Sequence, residues 1–233
     1  MADALDELRG LERRDAELSA FAGRMRALDG EVAGVRARAE EIEAFFAAYS
    51  ETDNRLRKSV LGAETELTRR RREYDDAQAA TGEAKDEEAR ESAERRVDRA
   101  RDHVLIAEAR VARATEAYED LERHASALTG ELSDLAARAE RVTRHLPNTE
   151  VPESTPQELI DWAGRAHATL FVASGQADAQ RDRIVREANE LATMLLGEPT
   201  YGSTPAQALA RVEGAETGRS SESARESHTD EDP

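Results

Sequence analysis

From Ala93 to Leu146, small and apolar residues recur in one unbroken alternation of three and four positions. They are Ala93, Val97, Ala100, Val104, Ala107, Val111, Ala114, Tyr118, Leu121, Ala125, Leu128, Leu132, Leu135, Ala139, Val142 and Leu146. A mean period of 3.5 holds one seam against a partner helix over many turns, which a helix on a globular surface does not require. The pattern predicts a long coiled-coil helix over 84–146. A second run, Leu18, Phe21, Met25, Leu28, Val32, Val35, Ala39, Ile42, Phe46 and Tyr49, predicts another helix over 2–49. Leu5, Leu8 and Leu11 precede it in a slipped frame and mark a separate contact near its start.

Ser50-Glu-Thr-Asp53-Asn reads as a stop and restart, because its hydroxyl and carboxylate groups can cap free backbone N–H groups. Leu56, Val60, Ala63, Leu67 and Tyr74 then carry a helix over 53–80. Its frame does not join the one that begins at Ala93, and the mismatch falls on residues 80–88, where Thr81-Gly82 is the best local breaker. Either the chain turns near Gly82 or one helix runs from 53 to 146 with a skip. Phe45, Leu61, Leu105 and Ile106 widen the apolar stripe beyond a two-stranded seam and favour the turn, which would stack them in a three-helix bundle.

Residues 147–155 form a linker between Leu146 and the capping box Thr155-Pro-Gln-Glu158. A fourth long helix follows over 156–196. Its seam holds Leu159, Ala163, Ala166, Leu170, Ala173, Ala177, Gln180, Ile184, Ala188, Leu191 and Leu195. The short linker predicts that it folds back on 107–146. Residues 197–213 read as a loop and a short helix, the latter opened by a second capping box, Thr204-Pro-Ala-Gln207. Residues 214–233 contain no large apolar side chain, are acidic on balance, and read as a disordered tail. The fold class expected is all-α: an elongated antiparallel coiled coil or bundle of about four long helices and one short one.

Composition agrees. Ala, Glu, Leu, Arg and Lys make up more than half of the 233 residues, while aromatics supply 4%. That mixture fills a narrow seam and cannot fill a broad core. A formal net charge of −17 opposes wholesale binding to nucleic acid or to anionic membranes. With no cysteine, thiolate chemistry and Cys-based zinc sites are excluded. No stretch reads as a signal peptide or a membrane span, so a cytoplasmic protein is expected.

Candidate chemistry is sparse. His103, His124 and His145 stand three heptads apart, about 31 Å between neighbours on one helix, too far to share a metal. His167 lacks the Glu-Xaa-Xaa-His companion of di-iron bundles. There is no phosphate loop and no nucleophile elbow. No catalytic, cofactor or metal residues are therefore assigned, and no enzyme activity or small-molecule substrate is expected. Arg69, Arg70, Arg71 and Arg72 are the one concentrated basic zone. As a candidate anion contact they compete with salt bridges to Glu40, Glu41 and Glu43.

The functional expectation is a scaffold or adaptor acting through self-association and protein contacts. Leu18, Phe21, Met25, Leu28, Val104, Val111, Tyr118, Leu121, Leu128, Leu132, Leu135, Leu170, Ile184 and Leu191 are the seam residues that would carry self-association. Leu5, Leu8, Leu11, Trp162, Phe171 and Val172 form a second apolar surface for a partner. A first helix followed by a long antiparallel hairpin is also similar in outline to the phage-shock protein A family, with no motif residues in common. That resemblance implies a membrane-associated hairpin, yet Asp3, Asp6 and Glu7 make the first helix acidic where a membrane-inserting helix is basic. An accessory role in a chromosome-organising machine rests on the coiled coil and the arginine cluster.

Overall fold

The computed structural model describes residues 2–226, and among these every regular element is a helix. The four are α1 (Ala2–Glu83), α2 (Glu87–Thr143), α3 (Pro156–Leu196) and α4 (Pro205–Glu226). No helix among the described residues is long and apolar enough to cross a membrane. The chain divides into two compact units, the first formed by residues 1–36, 139–152 and 161–233, the second by residues 37–138 and 153–160.

The second unit is built on an antiparallel pairing of α1 with α2. Arg38 forks onto Glu131 at 2.7 and 2.8 Å, Tyr49 meets Glu122, and Arg71 meets Glu108. Partner numbers fall as α1 advances, which defines the direction. The chain reverses over Ala84–Asp86, just past Gly82, and the Asp86 carboxylate accepts the Ala89 N–H at 2.7 Å as the N-cap of α2.

The break expected at Ser50–Asn54 is absent, since α1 continues through it. The 3-4 frame explains why. Tyr49, Asp53, Leu56, Val60, Ala63, Leu67, Arg70, Tyr74 and Ala77 are all half-buried at successive seam positions. Asp53 and Arg70 thus occupy the seam, and their polar character hid its continuity. The carboxylate of Asp53 accepts from Arg57 one turn on, at 3.0 Å, rather than capping a new helix. Nor does a third long helix cover Leu61, Leu105 and Ile106, which remain exposed.

The first unit pairs α3 with the opening part of α1, again antiparallel: Asp15 meets Arg181 and Asp29 meets His167. The sequence reading expects α3 to fold back on 107–146. Within this unit only the end of α2 meets it, where the Trp162 indole donates to the Thr143 hydroxyl at 2.9 Å. Helix lengths account for the difference. α1 has 82 residues and α2 has 57, so the seam of α1 near its start needs another partner. Leu5, Leu8 and Leu11 pack with Ile184, Ala188, Leu191, Ala192, Ala208 and Val212 in one core.

Both capping boxes open helices. Thr204 and Gln207 exchange hydrogen bonds, and the Thr155 hydroxyl accepts the Glu158 N–H. The disorder expected from Gly214 is not found as far as Glu226, because α4 runs on to that residue. A helix already nucleated by its cap propagates at small cost through a segment without proline. Residues 227–233 of the expected tail lie outside the described residues.

Candidate interaction surfaces

The predicted seam residues lie inside helix pairs of the chain itself. In the first unit Met25, Leu170, Ile184 and Leu191 are buried, while Leu18, Phe21 and Leu28 are half-buried. In the second, Leu128, Leu132 and Leu135 are buried, and Val104, Val111, Tyr118 and Leu121 are half-buried. The buried members are covered within the same molecule, and the half-buried ones keep part of their surface in solvent.

The expected partner surface splits in two. Leu8, Leu11 and Trp162 are among the most buried large side chains, and Leu5 is buried beside them, so these four are core and not surface. Their slipped frame reflects contact with both α3 and α4. Phe171 and Val172 are 72% and 56% exposed on the outer face of α3. They are the part of that surface that faces solvent.

The arginine cluster is largely neutralised from within. Arg69 and Arg70 both reach Glu66 and Glu73, and Arg71 reaches Glu108. Hydrogen bonds from Arg69 and Arg70 hold the Glu66 carboxyl below its ordinary range. The partners Glu40, Glu41 and Glu43 expected from sequence are out of reach, because thirty residues along one helix is about 45 Å. Arg70 also lies 3.5 Å from His103 Nδ1.

A second polar group crosses the hairpin between Tyr49 and Tyr118. The Tyr49 hydroxyl donates to Glu122 at 2.8 Å, and the Arg57 guanidinium stands 5.6 Å from the centre of the Tyr118 ring. Both phenols are pushed above their ordinary range, Tyr49 mainly by its bond to the Glu122 carboxylate and Tyr118 mainly by loss of water. Beside it, His124 packs edge-on against Phe45 at 4.9 Å. These groups fix helix register, and none is set in an enclosed cavity.

The sequence reading places a loop between α3 and α4 but misses the buried polar network inside it. Asn189, 7% exposed, donates to the carbonyl oxygens of Val185 and Ser203, and its own amide oxygen accepts the Ser203 N–H. Thr200 is fully buried. Its hydroxyl donates to the Asn189 carbonyl, and its N–H donates to the Thr193 hydroxyl. Gly197 and Gly202, at φ of 74° and 76°, allow the two bends that bring Thr200 inward. The pair of glycines around Thr200 was the available signal. Beside this loop lies an open cleft of about 490 Å³ lined by Val185, Asn189, Met194 and Tyr201, among others. Met194 and Tyr201 stand at its edge, mostly in solvent.

Among the described residues no group of three or more His, Asp or Glu side chains could hold a metal ion. Comparison with protein-family models, with curated proteins and with solved structures finds no match.

Proposed function

We propose that the chain is a non-enzymatic coiled-coil scaffold or adaptor that acts through self-association and contacts with other proteins. The observation that carries this reading is the set of large apolar side chains held in solvent on rigid helices. Phe171 and Val172 lie on α3, Leu61 on α1, and Leu105 and Ile106 on α2. Isolated exposed residues are ordinary, but adjacent pairs fixed on a helix face supply the apolar centre that protein contacts use. The charged side chains support the same reading, because many are committed to ion pairs between or along helices.

Multi-angle light scattering of the whole chain over a micromolar concentration series tests the proposal. A mass above one protomer that rises with concentration is expected. A strict monomer throughout would remove self-association from the reading.

A further inference from the structure

One flank of the α1–α2 hairpin gathers positive charge on a chain whose net charge is −17. We infer that this flank, which lies within the second unit, is a docking groove for an acidic amphipathic helix of another protein. This rests on the protein contacts proposed above and names the chemistry of a partner.

The position before each seam residue of α2 from Val97 to Ala114 reads, in turn, Arg96, Arg99, His103, Ile106, Arg110 and Arg113. All of them are exposed. One step back along a helix turns it by about 100°, so these residues line a single flank beside the seam. That flank holds four arginines and no carboxylate. The positions one step after the seam, Asp98, Arg101, Leu105, Glu108, Ala112 and Thr115, carry both signs instead.

Nothing nearby answers this charge. Arg96, Arg110 and Arg113 form no ion pair among the described residues, and the Arg99 Nε donates to the Arg95 carbonyl. Elsewhere on the same flank Arg38 reaches across the hairpin to Glu131. Three heptads along, the equivalent positions are Ser59 and Arg110, so this arginine faces a hydroxyl. Glu66 and Glu73 stand on the α1 wall, but Arg69 and Arg70 already hold both.

The groove between the two walls selects the kind of anion. It is an open cleft of about 510 Å³ with Arg110 and Arg113 along one side. Ser59, Gly62, Ala63, Ala114 and Ala117 also line it, and such small side chains let a third helix approach closely. Ile106, 54% exposed and one turn from Arg110, offers an apolar contact beside it. A helix with carboxylates on one edge and apolar side chains on the next meets both features. A nucleic acid or an anionic membrane gains little from the small apolar lining, and meets Glu66 and Glu73 on the opposite wall. From Arg96 to Arg113 the flank is about 26 Å long, so the partner helix needs about five turns.

The probe is a labelled synthetic helix of about that length, with leucine and alanine on its seam and glutamate on both flanks. It is titrated with the full chain and followed by fluorescence anisotropy. Saturable binding is expected, and none when lysine replaces the glutamates. Arg110→Glu combined with Arg113→Glu changes two exposed, unpaired residues, so helicity by circular dichroism stays the same while binding weakens by about tenfold or more. Gly62→Leu, where a Cβ meets nothing within 4 Å, fills the groove and weakens binding as well. Equal binding of a scrambled peptide of the same composition would mean attraction by charge alone and sink the groove. Tighter binding to duplex DNA or to phosphatidylserine vesicles, lost in the double arginine variant, would overturn the helix as occupant. Failure of every probe would refute the docking site, while the light-scattering series would still decide self-association on its own. An oligomer that dissociates in the double arginine variant, without peptide binding, would put a second copy in the groove and rule out the acidic partner.

Discussion

α1 uses the same spacing twice with opposite results. Near its start, Leu8, Ala22 and Val32 are buried to 1% exposure or less. In the second unit, from Phe46 to Thr81, no seam residue of α1 is fully buried, and two of them are Asp53 and Arg70. The first unit closes its seam with three elements: α1, α3 and α4 share the core around Leu8 and Leu11. Over most of its length the second relies on two helices, which bury the small Ala93 and Ala107 of α2 but leave the larger residues from Phe46 to Tyr74 and from Val97 to Leu121 partly in water. A heptad pattern sets which face turns inward. How deeply that face is buried depends on how many elements surround it.

The comparison can be broken at several points. The largest effect is expected at Trp162, which is fully buried and hydrogen-bonded to Thr143. Trp162→Ala should cost about 3–5 kcal/mol in the first unit, read as accelerated amide exchange there while residues 46–81 keep their protection. Equal loss of protection in both units would show that they unfold as one. Next comes the same chemical change in both places. Leu8→Ala should cost about 2–5 kcal/mol, and Leu67→Ala roughly half as much, because the half-buried leucine already touches water. Denaturant midpoints measure the ratio, and equal losses would contradict the burial contrast.

Asn189→Ala removes the amide that joins α3 to the loop and leaves the Ser203 N–H without its partner. A loss of about 1–3 kcal/mol is expected, with proteolytic nicking confined to residues 197–204. Asp53→Leu should act in the opposite direction, raising the thermal midpoint of the hairpin while relaxing its register, as apolar replacement of a polar seam residue does. A lower midpoint would mean that the Asp53–Arg57 pair matters more than the seam.

The smallest effect is electrostatic. Hydrogen bonds from Arg38 hold the Glu131 carboxyl below its ordinary range, and Arg69 and Arg70 do the same for Glu66. The unfolded chain therefore takes up these protons first. Stability from both pairs is complete above the ordinary glutamate range, near pH 4.3, and falls as the pH drops through it and below. Glu131→Gln should flatten that acid limb in the second unit by lowering the neutral-pH midpoint slightly while leaving the midpoint at pH 2 unchanged. Thermal melts between pH 2 and 7 measure both.

Much of the helical organisation was legible because periodicity is a local property. The run from Ala93 to Leu146 already traced the face that α2 turns inward. Partner choice was not legible, since it depends on helix length. Only when α1 continues past Asp53 does its start lack α2 and turn to α3. Asp53 concealed that continuity because a carboxylate in a seam resembles a cap when neighbouring helices are unknown. Leu5, Leu8 and Leu11 resembled a free surface for the same reason, their cover lying far along the chain at Ile184 to Val212. Phe171 and Val172 could be marked as a second apolar face from spacing alone. The Asn189–Thr200 network left almost no trace, because three scattered polar residues have no period.

The core around Leu8 and Leu11 also sets an order of events during synthesis. These leucines are made about 170 to 210 residues before the residues that cover them, Ile184 to Val212. At about 5–20 residues per second the interval is roughly ten to forty seconds. The hairpin of α1 and α2 joins residues close to its turn and can zip up in that time. The opening helix meanwhile presents three uncovered leucines on the nascent chain. A ribosome stalled before α3 emerges would display them to any hydrophobic-binding chaperone, so the same contact that completes the fold is the one the cell must wait longest to see made.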